Sequence, residues 1–185
     1  MSVVLLQSCK NPPKLSEKGP VQEEKEKASF FPVTAYLKGQ IFEIKRNGIT
    51  PLKYTTINDH MDSAWLRTED FNEEFKEFLH PEIDSTNLIA LFAETRFMDR
   101  SLDAITLTYD AIGELPDTMT LKHWDVYIAP ATGSVRRIYI LKKIGTNKTV
   151  QLTWQSNKWC KATTIIDQPD GNSFIEKEEK ITWDF

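Results

Sequence analysis

The sequence predicts an α+β fold, with two or three N-terminal helices packed on an antiparallel meander sheet of about five or six strands. Apolar residues recur with a helical period between Ser29 and Leu79. From about Glu94 the chain changes to β-rich runs separated by turn residues. The 185 residues, 40% of them hydrophobic and 27% charged, suffice for one domain. We expect that domain to span residues 29–185.

The first helix is predicted over Ser29–Asn47. Its apolar positions fall on one helical face, Pro32 suits a first turn, and Asn47-Gly48 supplies a left-handed stop. The positions that define this face are Val33, Leu37, Ile41 and Ile44.

Three further N-terminal segments complete the helical half. Residues 49–66 read as a short strand or an extended crossover, with a turn at Asn58–Asp62. Thr68–Leu79 reads as a helix with Thr68 as its N-cap and a phenylalanine stripe facing the core. Asp84–Phe92 reads as a short third helix.

The C-terminal half contains the predicted strands. Ser101–Asp110 alternates, and residues 120–143 form a hairpin around Ala129–Gly133. A second hairpin over residues 148–166 turns at Gln155–Lys158, and a last strand lies within residues 171–185. The charged run Glu176–Lys180 reads as solvated residues at a sheet edge.

Charge and hydropathy exclude two classes of protein. The net charge is −4, which argues against a general nucleic-acid binder, since such a protein needs basic surface to displace counterions from phosphate. Apart from the aliphatic run Val3–Leu6, no stretch approaches the roughly 18 apolar residues that a membrane-spanning helix requires. We expect no nucleic-acid partner.

The N-terminal stretch Leu6-Gln7-Ser8-Cys9 places a small residue directly before a cysteine, behind an aliphatic run. It resembles the lipobox of bacterial lipoproteins. The resemblance implies cleavage after Ser8 and lipidation of Cys9, whose acyl chains then hold the protein at a membrane at about 0.8 kcal/mol per buried methylene. Residues 1–8 would then be a truncated signal-like segment, because no Lys or Arg precedes the aliphatic run. Either the true start lies upstream of Met1, or the resemblance is accidental.

Residues 9–28 are predicted to be a disordered tether. Lys10–Lys27 contains three prolines, a glycine and mixed charges, and its only apolar residues besides these are Leu15 and Val21. Such a segment buries too little surface to offset its ordering entropy. Extended, it would reach roughly 50 Å or more, enough to lift a domain off the headgroups.

Few residues are candidates for chemistry. His123 and Asp125 would share one face of a strand, with Tyr127 next, in the relation of a base and its orienting carboxylate. The alternative is a solvated sheet face opposite Trp124, Val126 and Ile128. The sequence has no common nucleophile, metal or phosphate-loop motif, so we expect no metal and no cofactor.

Aromatic residues are the other candidates. Trp124, Tyr127, Trp154 and Trp159 are candidates for lining a binding groove, and core packing is the alternative for the tryptophans. Cys160 is expected to be a buried free thiol, not bonded to Cys9.

The combined expectation is a lipid-anchored cell-envelope lipoprotein, facing the periplasm or the outer surface, that acts as a non-catalytic binding or assembly module. Its partners would be the membrane, reached through the N-terminal lipid, and possibly another envelope protein. Two alternatives stay open. One is a hydrolase that uses the His123–Asp125 pair, and the other is a cytoplasmic ligand-binding domain with an accidental lipobox.

Overall fold

The computed structural model describes residues 30–84 and 86–183, and one antiparallel sheet of nine strands dominates them. The strands are β1 Leu52–Ile57, β2 His60–Trp65, β3 Phe92–Asp99, β4 Ala104–Ala111, β5 Leu121–Ile128, β6 Val135–Ile144, β7 Lys148–Gln155, β8 Trp159–Asp167 and β9 Ser173–Thr182. Their spatial order is β2-β1-β9-β8-β7-β6-β5-β4-β3. The seven later strands form a continuous meander, and the N-terminal hairpin joins it by pairing β1 with β9.

Among the described residues, helical structure is confined to one long helix and a short helical segment. Helix α1 spans Val33–Arg46, and Asn47 is its C-cap residue. Gly48 follows with a φ of 63°. A 3₁₀ turn at Thr68–Asp70 leads into α2, Phe71–Glu74, and α3, Lys76–Leu79. The prediction of α1 and of its buried face is confirmed, because Val33, Leu37, Ile41 and Ile44 are all buried.

The predicted fold class is wrong: the described chain is largely β, not α+β with several N-terminal helices on a five- or six-stranded sheet. Residues 52–65 form a complete hairpin that turns at Asn58 and Asp59, both with positive φ. The sequence indicated the turn but not β2, because all side chains of β2 are exposed and no buried face distinguishes that strand. Of residues 84 and 86–92, none lies in a helix.

The predicted helix Thr68–Leu79 is also interrupted. Phe75 adopts φ −99° and ψ 1°, and the N–H of Phe78 donates to the carbonyl oxygen of Phe75, a 3₁₀-type bond. Thr68 makes no capping bond. Phe71, Phe75 and Phe78 are nevertheless all buried, as the phenylalanine stripe predicted. Packing of these rings decides the conformation, since so short a helix has little stability of its own.

The two later hairpins lie where the sequence predicted them. The charged run Glu176–Lys180, which was predicted at a sheet edge, does not lie at an edge. Ala129–Gly133 joins β5 to β6, and the turn after Gln155 joins β7 to β8. Glu176–Lys180 belongs to β9, which is bonded to β1 on one side and to β8 on the other. This run is therefore interior to the sheet, and its charges alternate between the two faces.

The core lies between the helices and one face of the sheet, here called the inner face. Phe30 packs edge-on against Tyr109 and Trp124, with ring centroids 5.1 and 6.1 Å away. Phe75 and Phe78 pack against Trp154 at 5.5 and 5.4 Å. The opposite, outer face carries mostly polar side chains.

In the described ranges, 30–84 and 86–183, no helix has the length and apolarity to span a membrane. The predicted signal-like segment 1–8 and tether 9–28, including Cys9, lie outside the described residues.

Candidate functional site

The structure places His123 and Asp125 together on the outer face of the sheet. Both belong to β5, where they alternate with Trp124 and Val126, which point into the core and are fully buried. Antiparallel pairing sets Asp110 of β4 opposite His123. Strands β4 and β5 thus present two carboxylates to one imidazole on their polar outer face.

The imidazole of His123 bridges these two carboxylates. Its Nδ1 lies 2.8 Å from Asp110 Oδ1, and its Nε2 lies 3.2 Å from Asp125 Oδ2. The hydrogen bond to Asp125 is the main cause that raises the pKa of His123 to about 9, and Asp110 adds to it against the opposing effect of partial burial. At neutral pH the ring is therefore an imidazolium that donates from both nitrogens.

Asp125 is the centre of the outer-face cluster, which comprises Thr108, Asp110, His123, Asp125 and Tyr127. Thr108 Oγ1 donates to Asp125 Oδ1 at 2.7 Å, and the Tyr127 hydroxyl donates to Oδ2 at 3.1 Å. Burial alone would raise the pKa of Asp125, but the hydrogen bonds from His123 and Thr108 outweigh burial and lower it. The carboxylate is thus ionised, and each of its two oxygens accepts a hydrogen bond.

A small cleft adjoins this cluster without opening onto its histidine. It has a volume of about 150 Å³ and is lined in part by Tyr127, Arg136 and Arg137. The Arg137 guanidinium lies 4.2 Å from the centre of the Tyr127 ring. His123 and Asp125 do not line this cleft. A substrate held there would meet the tyrosine and the arginines rather than the imidazole.

The aromatic binding candidates divide between the two faces. Trp124 and Trp154 are 0% and 1% exposed and belong to the core, where their indole nitrogens have no partner among the described residues. Tyr127 and Trp159 lie on the outer face and are partly exposed. Lys180 Nζ sits 5.3 Å from the centre of the Trp159 ring. These four residues therefore do not form one groove.

Cys160 is buried in the core. It pairs with Trp154 across β7 and with Ile181 across β9, and it is 1% exposed. Burial raises the pKa of its thiol well above the ordinary value. Its surroundings are those of a small apolar core residue.

A second site, which sequence reasoning missed, lies on the inner face between the short helical segment and strands β1, β7, β8 and β9. This inner cleft has a volume of about 390 Å³. Its apolar part comprises Ile144, Val150 and Ala162, and its charged part comprises Lys53, Lys76, Lys148, Lys177, Glu73, Glu74, Glu77, Glu176 and Glu179. The only signal in the sequence was the run Glu176–Lys180, which resembles an ordinary solvated segment until the pairing of β9 is known.

The charges of the inner cleft are joined in ion pairs. Lys53 Nζ lies 2.6 Å from Glu74 Oε2 and 2.8 Å from Glu179 Oε1, and Lys177 Nζ lies 2.9 Å from the same Glu179 oxygen. Burial alone would lower the pKa of Lys53, but its bonds to Glu179 and Glu74 outweigh burial and raise it. For Glu179 the bonds from Lys53 and Lys177 likewise outweigh burial and lower its pKa.

Lys142 contacts Glu77, one of the residues that line this cleft. Its side chain is 5% exposed, and its ammonium donates to the backbone carbonyls of Glu77 and His80 and lies 3.3 Å from Glu77 Oε2. Burial lowers the pKa of this lysine. The contacts fix the C-terminal end of α3 to β6.

Within residues 30–84 and 86–183, no three His, Cys, Asp or Glu side chains are grouped in a way that could hold a metal ion. Comparisons of the chain with protein-family models, with curated proteins and with solved structures found no match.

Proposed function

We propose that this chain is a lipid-anchored binding module of the bacterial cell envelope, tethered through Cys9 and without catalytic activity of its own. The lipobox-like Leu6–Cys9 and the polar, proline-rich residues that follow support the anchor. The binding role is supported by the inner cleft, which combines charged and apolar lining residues.

The geometry of His123 favours binding over hydrolysis. A general base needs a free ring nitrogen that can take a proton at the working pH. Both nitrogens of His123 are already bonded to carboxylates, and its raised pKa keeps the ring protonated at neutral pH. The hydrolase alternative would require the loss of at least one of these two bonds.

The inner cleft suits a small ligand that carries both charges. Lysines and glutamates line its charged part, where Lys53, Glu74 and Glu179 are largely buried. Val150 and Ala162 give it an apolar floor. A ligand with an ammonium, a carboxylate and a short apolar part could replace the ion pairs among these side chains without leaving a charge unpaired. Short peptides have this chemistry.

Metabolic labelling with an alkyne fatty-acid analogue tests the anchor. The chain is expressed from its natural gene, with any upstream codons, alongside Cys9→Ser and Cys160→Ala. We expect labelling of the wild type and of Cys160→Ala and none of Cys9→Ser. Absence of label from the wild type would refute the anchor and favour the cytoplasmic ligand-binding alternative.

Amide NMR spectra test the binding role. The probe is a zwitterionic tripeptide with a central alanine, and the control is the same tripeptide capped to remove both terminal charges. With the charged form we expect shifts confined to the elements that line the cleft, namely residues 73–77, the end of β6 at Ile144, and strands β1, β7, β8 and β9. We expect a weaker response in Ala162→Leu, which narrows the cleft. Shifts centred on the outer-face cluster, or no shifts at all, would count against the inner cleft.

A further inference from the structure

Strand β3 is an edge strand, and among the described residues the outward backbone groups of Glu94, Arg96 and Met98 are unpaired, whereas the outward N–H of Phe92 donates to Leu88. The N–H of Ile112 donates to the carbonyl oxygen of Leu91 at 3.0 Å, and the same register continues without a bulge from Phe92↔Ala111 to Asp99↔Ala104. Ladder bonds alternate along an antiparallel strand. Thr95 therefore bonds to β4, whereas Glu94, Arg96 and Met98 direct their N–H and C=O groups away from the sheet.

These outward groups are accessible. Residues 93–98 are exposed, and Phe97 and Met98 are 46% and 48% exposed although both are large and apolar. Within the described part of the chain, no backbone hydrogen bond reaches the outward groups of Glu94, Arg96 or Met98. An edge of this kind is a template for another strand.

The other edge of the sheet differs in this respect. Leu66 N–H donates to Pro51 at 2.8 Å, so by the same alternation Met61, Ser63 and Trp65 point outward from β2. Asp62 Oδ1 accepts the outward N–H of Ser63 at 2.7 Å. The carboxylate thus occupies the middle of that edge and places a negative charge there, which discourages strand addition. Of the two edges, β3 is the open one.

We propose that β3 pairs antiparallel with β3 of a second copy of this chain, around a two-fold axis at Thr95. Only registers that oppose outward-pointing residues can form ladder bonds. Centring on Thr95 sets Glu94 opposite Arg96 of the second copy, twice by symmetry. On the other face it sets Ala93 opposite Phe97 of the second copy.

The neighbouring registers are less favourable. Centring on Glu94 brings two glutamates face to face, and centring on Arg96 brings two arginines face to face. Like charges directly opposite destabilise a strand pair, whereas opposite charges stabilise it. The sequence Glu94-Thr95-Arg96 is thus self-complementary in one register. Pairing there would join two copies of the nine-stranded sheet edge to edge. The pairing requires neither lipidation of Cys9 nor a ligand in the inner cleft.

Analytical ultracentrifugation of the full chain, with Cys9→Ser to keep it unacylated, tests the pairing. We expect a monomer–dimer equilibrium at high micromolar concentration. Glu94→Arg alone or Arg96→Glu alone should weaken the dimer at least about tenfold, because each places like charges opposite each other twice. The double exchange should restore the wild-type constant.

A proline substitution distinguishes an effect on strand pairing between copies from an effect on folding. Arg96→Pro removes an outward N–H that bonds to nothing in β4, so it should abolish the dimer with little change in Tm. Ser63→Pro is the matched control at an outward position of β2 and should leave the dimer intact. A dimer that survives Arg96→Pro would overturn the proposal, as would a wild-type chain that stays monomeric.

Disulfide trapping gives a second readout if the proline variant fails to fold. Thr95→Cys places two thiols across the axis in a non-hydrogen-bonded pair, with Cα atoms about 4.5 Å apart, and should cross-link under mild oxidation. Ala93→Cys lies on the same face, but its copies are about 13 Å apart in this register and should not cross-link. Equal trapping at both positions would overturn the register.

Discussion

Lys53 and Glu179 connect the first strand of the sheet to the last, with Lys53 Nζ 2.8 Å from Glu179 Oε1. The same ammonium lies 2.6 Å from Glu74 in the short helical segment. One half-buried lysine therefore joins β1, β9 and α2, three segments that are distant in sequence. The contact fastens the N-terminal hairpin to a meander that could otherwise end at β9.

Lys53→Met should lower the free energy of unfolding by about 1–3 kcal/mol, because it leaves the half-buried carboxylates of Glu74 and Glu179 without their shared cation. Urea denaturation followed by circular dichroism measures the change. Lys38→Met is the matched control, since the Lys38–Glu82 pair at 3.0 Å has side chains 58% and 55% exposed. Lys38→Met should lower the free energy of unfolding by no more than about 0.5 kcal/mol. Equal losses in the two variants would show that the network around Lys53 contributes no more than a surface pair.

His123 should make stability depend on pH in the alkaline range. Its pKa is raised in the folded state, from an ordinary value of 6.5 to about 9. The extra stability is therefore complete below pH 6.5 and is lost as the pH rises through 9. We expect wild-type stability to fall by about 1–2 kcal/mol over this range relative to His123→Gln, after allowance for solvent screening.

Denaturant unfolding of both proteins at several pH values checks this prediction, and the difference between them removes contributions from other titrating groups. Asp110→Asn should reduce the alkaline loss without abolishing it, because Asp125 is the larger cause of the raised pKa. Parallel pH profiles for wild type and His123→Gln would contradict the bridged imidazolium.

The sequence predicted the later hairpins because their strands have turn residues between them and a buried face. It did not predict β2, whose exposed side chains give no alternation. Nor did it predict the break in Thr68–Leu79, because the rings of Phe71, Phe75 and Phe78 satisfy a helical period and still pack inward around a 3₁₀ turn. In both places tertiary packing and strand pairing override the local pattern.

The candidate site shows the same division between local and long-range information. Alternation within one strand predicted that His123 and Asp125 share a face, because both lie in β5. Asp110 could not be assigned to them, since it comes from β4 and depends on the register between two strands. The inner cleft depends on pairing between the first and last strands, the longest-range contact in the sheet, and no local pattern encodes it.

Replacement by alanine should lower the free energy of unfolding far more at Trp154 than at Trp159. Trp154 is 1% exposed and contacts Phe75, Phe78 and Trp183, so Trp154→Ala should cost about 3–5 kcal/mol. Trp159 lies on the outer face under Lys180, and its loss should cost about 1 kcal/mol. Chemical denaturation of the two variants measures the difference. A small effect at Trp154 would indicate that this part of the core is not packed as described.

Cys160 should be unreactive in the folded protein. The side chain is 1% exposed and burial raises the pKa of the thiol, so both access and thiolate formation are suppressed. In a chain with Cys9→Ser, a disulfide reagent such as Ellman's reagent at pH 8 should detect no thiol in the native state and one thiol in guanidinium chloride. Tyr54→Ala is a useful control, because it alters a partly exposed residue on the outer face and should leave native reactivity unchanged.

Lys53→Met should instead increase the slow native reaction, since loosening β1 from β9 exposes the strand pair next to Cys160. Rapid reaction of the folded wild type would show that the β8–β9 pairing opens far more readily than its ladder implies.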